Sequence, residues 1–121
     1  MRPSKKTEAQ LLLGEHLREL GFTGIEYEYK FLKERRFRFD LAIPRRKLAF
    51  EVDGGSGYYR DREGKVHMGG GHRRGAAWEE QYEKANLAAA FGWKLFTFSN
   101  EMVNDLRAKD FVRNWCVKGV A

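Results

Sequence analysis

Asp40, Glu51 and Asp53 are the residues of this chain whose type and spacing can do chemistry together. They lie in the segment FRFDLAIPRRKLAFEVD, Phe37 to Asp53. Phe37, Phe39, Leu41 and Ile43 alternate with Arg38, Asp40 and Ala42. Leu48, Phe50 and Val52 alternate in the same way with Ala49, Glu51 and Asp53. A period of two marks half-buried strands, and Pro44-Arg45-Arg46-Lys47 between the runs reads as a turn. With Ile43 facing Leu48, Asp40 falls opposite Glu51, and the three acids share one face of a hairpin. Facing residues of a strand pair have Cβ atoms about 4.5–5.5 Å apart, where like charges destabilise the pair. A divalent cation bound between them reverses that penalty, so a metal site is expected. The alternative is a surface hairpin whose acids pair with Arg36, Arg38 or Lys47.

Composition bears on what such a metal would act on. The chain has 121 residues, 42% hydrophobic and 33% charged, which fits one folded domain over 1–121 with its own core. A net charge of +6 and a sequence pI near 9.6 point to a polyanionic partner, nucleic acid first. No apolar run approaches the ~20 residues that span a membrane. The start, MRPSKKTEAQ, lacks a secretory h-region. Cys116 is the only cysteine, which rules out an intrachain disulfide and a cysteine-based zinc site. An intracellular, cytoplasmic protein is expected.

The elements that must position the acids follow from periodicity. Thr7-Glu8-Ala9-Gln10 fits a capping box, Ala9, Leu12, Leu13, Leu17 and Leu20 recur at helical spacing, and Gly21 supplies the stop. Ile25, Tyr27, Tyr29 and Phe31 give a first strand, and the acidic hairpin gives two more. From Gly54 to Gly75 eight glycines are mixed with Arg60, Arg62, Lys65, Arg73 and Arg74 and with Tyr58, Tyr59, His67 and His72. That segment reads as a mobile loop. A second helix covers about Ala76 to Phe91, with Trp78, Tyr82 and Phe91 expected to face the core. Trp93 to Phe98 reads as a fourth strand, and 101–117 as a C-terminal helical extension, continuous or broken. The order α-β-β-β-α-β-α predicts an α/β domain with a mixed four-stranded sheet flanked by helices.

That order, with Asp40 followed by Glu51-Val52-Asp53, Gly54-Gly55, His72, the helix Trp78 to Asn86 and Gly92-Trp93-Lys94-Leu95-Phe96, resembles the PD-(D/E)XK nuclease superfamily. Within it the chain is similar to the small phage and bacterial endonucleases of the Holliday-junction-resolvase and very-short-patch-repair types. The likeness covers roughly residues 7 to 103. It implies a restriction-endonuclease-like αβββαβ core and Mg²⁺- or Mn²⁺-dependent cleavage of DNA. It places the first family carboxylate on Asp40 and the second on Glu51. The family lysine falls on Asp53, a departure; some restriction endonucleases carry a carboxylate there, and a lysine arriving from the next helix would be Lys84. Resolvases add a glutamate from the first helix, for which Glu8 is the candidate, with Glu15 two turns on.

Phosphodiester hydrolysis needs an activated water and charge stabilisation, which carboxylate-bound Mg²⁺ supplies. On this reading Asp40, Glu51, the Val52 carbonyl and Glu8 hold the metal. Asp53 or Lys84 orients or deprotonates the water. Arg60, Arg62, His72, Arg73 and Arg74 of the glycine-rich segment, with Arg36, Arg45 and Arg46, contact the DNA backbone. His67 is a further loop histidine with no assigned role. The expected function is a structure-selective endonuclease, a four-way junction its favoured substrate. It would act as a homodimer, for which the stripe Phe111, Val112 and Trp115 is the candidate interface, unless that stripe packs on its own sheet. The alternatives are a monomeric nicking enzyme of the repair type and a non-catalytic nucleic-acid-binding domain.

Overall fold

The computed structural model describes residues 6–54, 58–60, 63, 65–68 and 74–117. Helix α1 (Glu8–Glu19) starts where Thr7 leaves the extended region: its Oγ accepts from the Gln10 N–H at 3.1 Å, and Gln10 Oε1 accepts from the Thr7 N–H at 3.1 Å. Both halves of the expected capping box are therefore present. The helix ends at Gly21, whose φ of +99° is the left-handed turn that favours glycine, with Phe22 N–H bonding back to the Leu17 carbonyl.

Strands β1 (Glu26–Tyr29), β2 (Phe39–Ile43), β3 (Leu48–Asp53) and β6 (Lys94–Ser99) form one sheet in the order β1-β2-β3-β6. The first two pairings are antiparallel and β3·β6 is parallel. The mixed four-stranded sheet read from the sequence is thus present, with Ile43 opposite Leu48 as the alternation required. Pro44–Arg46 makes one 3₁₀ turn between β2 and β3, closed by Lys47 at φ +55°. Parallel pairing of β3 and β6 demands a crossover, supplied by helix α2 (Arg74–Ala90).

The sheet separates two cores. Leu41, Ile43, Leu48, Phe50 and Phe98 pack on one side with Leu13 and Leu17 of α1 and Val103, Ala108 and Val112 of the C-terminal helices. Ala42, Ala49 and Phe39 pack on the other with Ala88 of α2 and Trp93. At the C-terminal end of α2, Lys47 Nζ donates to the Phe91 carbonyl at 2.9 Å and lies over the Trp93 ring.

Two expectations are corrected, and the C-terminal extension takes the broken one of its two expected forms. The glycine-rich segment is not simply loop: β4 (Tyr58–Arg60) and β5 (Val66–Met68) pair antiparallel, Tyr59 opposite His67, as their aromatic and β-branched residues favour. Tyr82 and Phe91 are 61% and 52% exposed, because Lys84 and Ala88, four apart, take the inward face of α2. The Trp78 side chain lies outside the described residues. The C-terminal extension is broken into α3 (Asn100–Asn104) and α4 (Arg107–Val112), followed by a π-helical turn, Arg113–Val117. Its apolar stripe packs on its own sheet: Val112 is fully buried and Phe111 lies 5.5 Å from Phe96 and 5.8 Å from Phe98, ring to ring. Among the described helices none is long and apolar enough to cross a membrane.

Candidate active site

The β2·β3 ladder pairs Ile43–Leu48, Ala42–Ala49 and Leu41–Phe50 and runs no further. At the next position a side chain takes over: Asp40 Oδ2 accepts the Val52 N–H at 2.8 Å. The two strands fork there. A strand residue points its N–H and carbonyl to the same side, so the Val52 carbonyl also faces the fork, where the sequence reading wanted a ligand. On β1, Glu28 lies between the pairs Tyr27–Leu41 and Tyr29–Phe39, level with Asp40, and holds φ +53°. A non-glycine residue in this region is strained by an amount of order 1–3 kcal/mol, the kind of cost that gathers at functional sites.

Glu51, 9% exposed, enters the fork from β3, and Lys84, 7% exposed, enters from α2. Lys84 Nζ stands 2.6 Å from Glu51 Oε2 and donates to the Arg38 carbonyl at 2.7 Å. The contact with Glu51 is an ion pair rather than an aligned hydrogen bond, and Oε2 makes no other. Lys84, rather than Arg36, Arg38 or Lys47, is therefore the cation of the acidic hairpin.

Burial dominates the electrostatics. It pushes the Asp40 carboxyl above its ordinary value, against the Val52 N–H, the Lys84 charge and a hydrogen bond from the Gln10 side chain; the Asp53 charge adds to the rise. Glu51 is likewise raised, first by burial and then by Asp40, with Lys84 opposing. Two acids that resist ionisation beside one ammonium form a site short of positive charge.

The remaining expected residues are placed unevenly. Asp53 ends β3 exposed beside Ser99 of β6, close enough to act on Asp40. Among the described residues no three of His, Cys, Asp and Glu converge, so Asp53 does not complete a three-carboxylate cluster. Glu8 is exposed in the first turn of α1, whereas Gln10, two residues on, is buried and its side chain acts to lower the pKa of the Asp40 carboxyl. Sequence reasoning missed Gln10, because the Thr-x-x-Gln spacing already accounted for it as a cap.

Arg45 and Arg46 are exposed on the 3₁₀ turn, with the Arg46 guanidinium over the Phe22 ring. Arg36 lines an open cleft of about 540 Å³ with Glu34, Arg35, Phe37, Glu80 and Glu83. Arg35 is paired there with Glu83 at 2.5 Å. Those acids make this region mixed in charge, a poorer phosphate surface than its arginines suggested. Arg60 ends β4 and Arg74 opens α2, while Arg62, His72 and Arg73 lie outside the described residues.

The arrangement can hold a hard cation on oxygen donors, or a proton, between two strands and two helices. Comparison of the chain with family models, curated proteins and solved structures finds no match.

Proposed function

We propose that this chain is a divalent-metal-dependent DNA endonuclease of the restriction-endonuclease-like type. The observation that carries the reading is the fork at Asp40, which brings the half-buried Asp40, the buried Glu51 and the Val52 carbonyl to one opening with Lys84 beside them. The donor set is oxygen throughout, and Mg²⁺ or Mn²⁺ accepts so few protein ligands because it keeps several waters. Asp40, Glu51 and the Val52 carbonyl would hold the ion, which when bound supplies charge neutralisation at the phosphate and an acidified water. Lys84 is an ammonium paired to Glu51, which makes it a donor toward a phosphate oxygen rather than a base. Asp53, exposed at the strand end, then takes the proton from the attacking water on its carboxylate. The net charge of +6 supports DNA as the substrate.

Two forms of the reading differ in assembly. Cutting a four-way junction symmetrically requires two copies. Val112 and Phe111, the core of the expected interface, are used inside the protomer, with Trp115 left 70% exposed. This favours the nicking form over the dimeric resolvase. A non-catalytic DNA-binding domain is the second reading, favoured by Lys84 already neutralising Glu51. One assay separates them: a four-way junction, a mismatched duplex and a plain duplex, each with Mg²⁺ and with EDTA. Cleavage with Mg²⁺ alone, abolished in Asp40→Asn and Glu51→Gln, is expected. Loss of turnover in Asp53→Asn with a milder effect of Lys84→Ala supports the assignment of the base. Binding without cleavage under either condition leaves the non-catalytic domain. Symmetric junction cutting by a sedimenting dimer returns the resolvase.

A further inference from the structure

The open cleft of about 540 Å³ lies between residues 34–37, ahead of β2, and the outer turns of α2. Its volume is that of a small-ligand pocket, about 300–1,000 Å³. Phe37 lines it half-buried. Phe31 stacks on the Phe37 ring at 5.8 Å with 26° between the planes, and the Arg35 guanidinium carbon lies 5.9 Å over the same ring. Glu83 holds that guanidinium at 2.5 Å. Two flat groups, one aromatic and one cationic, are thus fixed together in the lining. Glu80, three residues before Glu83, shares its side of the helix. Among the described residues neither Glu80 nor Arg36 takes part in an ion pair, so the cleft keeps one acceptor and one donor unspent.

Carboxylates disfavour a phosphate there, and guanidinium groups disfavour a bare cation. A flat neutral ligand with donors on one edge and acceptors on another suits both, and a nucleobase is such a ligand. The four bases differ in what they show a carboxylate. Adenine and cytosine set a ring-nitrogen acceptor beside their amino donor, and thymine flanks its single N–H with carbonyls. Guanine alone sets two donors side by side, N1–H and the 2-amino group, which one carboxylate accepts together. It also carries O6 and N7, the acceptors that arginine binds. Cytosine takes N1–H and the 2-amino group in a base pair, so only an unpaired guanine can offer them.

We propose that this cleft binds an unpaired guanine of the DNA. Phe37 and Arg35 stack the base, Glu80 accepts from N1–H and the 2-amino group, and Arg36 donates to O6 and N7. The proposal rests on the endonuclease reading above and deepens it by naming what the enzyme recognises beside the cut. Cleft and fork share both walls: Phe37 precedes Arg38, whose carbonyl accepts from Lys84 at 2.7 Å, and Glu83 precedes Lys84, which pairs with Glu51 at 2.6 Å. A base held in the cleft therefore hangs from the strand whose phosphate lies at the fork.

Fluorescence anisotropy of the full chain with labelled oligothymidylate, plain or carrying one central guanine, adenine or cytosine, reads base preference in EDTA, where nothing is cut. The guanine strand is expected to bind about tenfold more tightly than the other three. Hypoxanthine in its place lacks the 2-amino group and should lose most of that preference; 7-deazaguanine lacks N7 and should lose part. Glu80 is exposed, so Glu80→Ala is expected to melt like the parent chain. It should bind plain oligothymidylate at least as tightly, one negative charge being gone, and treat guanine and hypoxanthine alike. Arg36→Ala should treat guanine and 7-deazaguanine alike.

Oligonucleotide binding without a guanine preference, or a preference that survives in Glu80→Ala, would overturn the proposal. Cleavage with Mg²⁺ and not with EDTA would then still stand for the endonuclease reading. A chain that binds none of the oligonucleotides overturns the base site as well, and if it also cuts no DNA the endonuclease reading falls with it.

Discussion

At the scale of residues, the fork at Asp40 places a buried ammonium against Glu51 and leaves Asp40 to the Val52 N–H. Lys84→Met strands Glu51 beside Asp40 with no counter-ion. Removing one partner of a buried pair costs about 3–5 kcal/mol, so chemical denaturation at neutral pH should show a loss toward the lower end of that range. Adding Glu51→Gln should recover most of it. Asp40 behaves differently, since its carboxyl and that of Glu51 sit above their ordinary values of 3.8 and 4.5. A carboxyl raised in the folded state stabilises the fold fully below its unfolded pKa and loses that contribution as pH rises through the folded pKa. Metal-free wild type should therefore lose stability from these two groups as pH climbs out of the ordinary carboxylate range. Asp40→Asn should show a flatter profile and match or exceed wild type at neutral pH. A steeper loss in the variant would make Asp40 a structural acid. The register from Ile43–Leu48 to Leu41–Phe50 was legible because a period of two fixes which residues face one another; at Asp40 the period breaks, Phe39 packing in the opposite core from Leu41 and Asp40 taking the Val52 N–H in place of a pairing with Glu51. Lys84 could be singled out through family resemblance alone, since nothing local to α2 says which lysine turns inward. On α1, two residues turn a side chain by about 200°, which carries Gln10 inward and Glu8 out.

At the scale of elements, the strands and the two long helices followed from alternation, from the Thr7 cap and from Gly21. A break in the C-terminal helix was one of two forms left open, but its position between α3 and α4 did not follow. Leu106 holds φ +72° although Asn104 and Asp105 just before it are the residue types that favour such a turn, and it is 47% exposed. An L-residue there costs roughly 1–2 kcal/mol, and its neighbours impose the turn by burying Val103 and Ala108 on either side. Leu106→Gly relieves the strain but adds unfolded-state freedom worth about 0.4–1 kcal/mol. The net expectation is a gain of about 0.5 kcal/mol in a denaturant melt; a loss would mean that the exposed leucine contributes more by packing than its backbone costs. The β4·β5 pair was hidden for another reason. Eight glycines dominate the composition of the segment that carries it, and three-residue strands are too short to show a period.

At the scale of the whole molecule, the described basic residues differ in how they are paired. Arg35 is paired with Glu83, Lys84 with Glu51 and Lys109 with Glu19, while Arg45 stands exposed on the hairpin turn. On the proposed DNA-binding reading, the arginines at 60, 62, 73 and 74 of the glycine-rich segment are expected to carry most of the phosphate contacts. Each phosphate that goes without its arginine should lower the slope of log affinity against log salt by about 0.9. Replacing all four should flatten it more than replacing Arg45 and Arg46; the reverse ranking would move the surface to the hairpin turn. The crossover through α2 has one more consequence, in time rather than space. Asp40 and Val52 are 12 positions apart, but Lys84 meets the Arg38 carbonyl across 46. Closing so long a loop costs entropy before any contact compensates it. The acidic half of the fork should thus form early in refolding and its cation arrive last. Lys84→Met is accordingly expected to leave the stopped-flow refolding rate near that of wild type and to accelerate unfolding, whereas Ala42→Gly in the hairpin slows refolding. A nascent chain released before α2 would expose an unneutralised acidic notch, a transient state with a charge signature of its own.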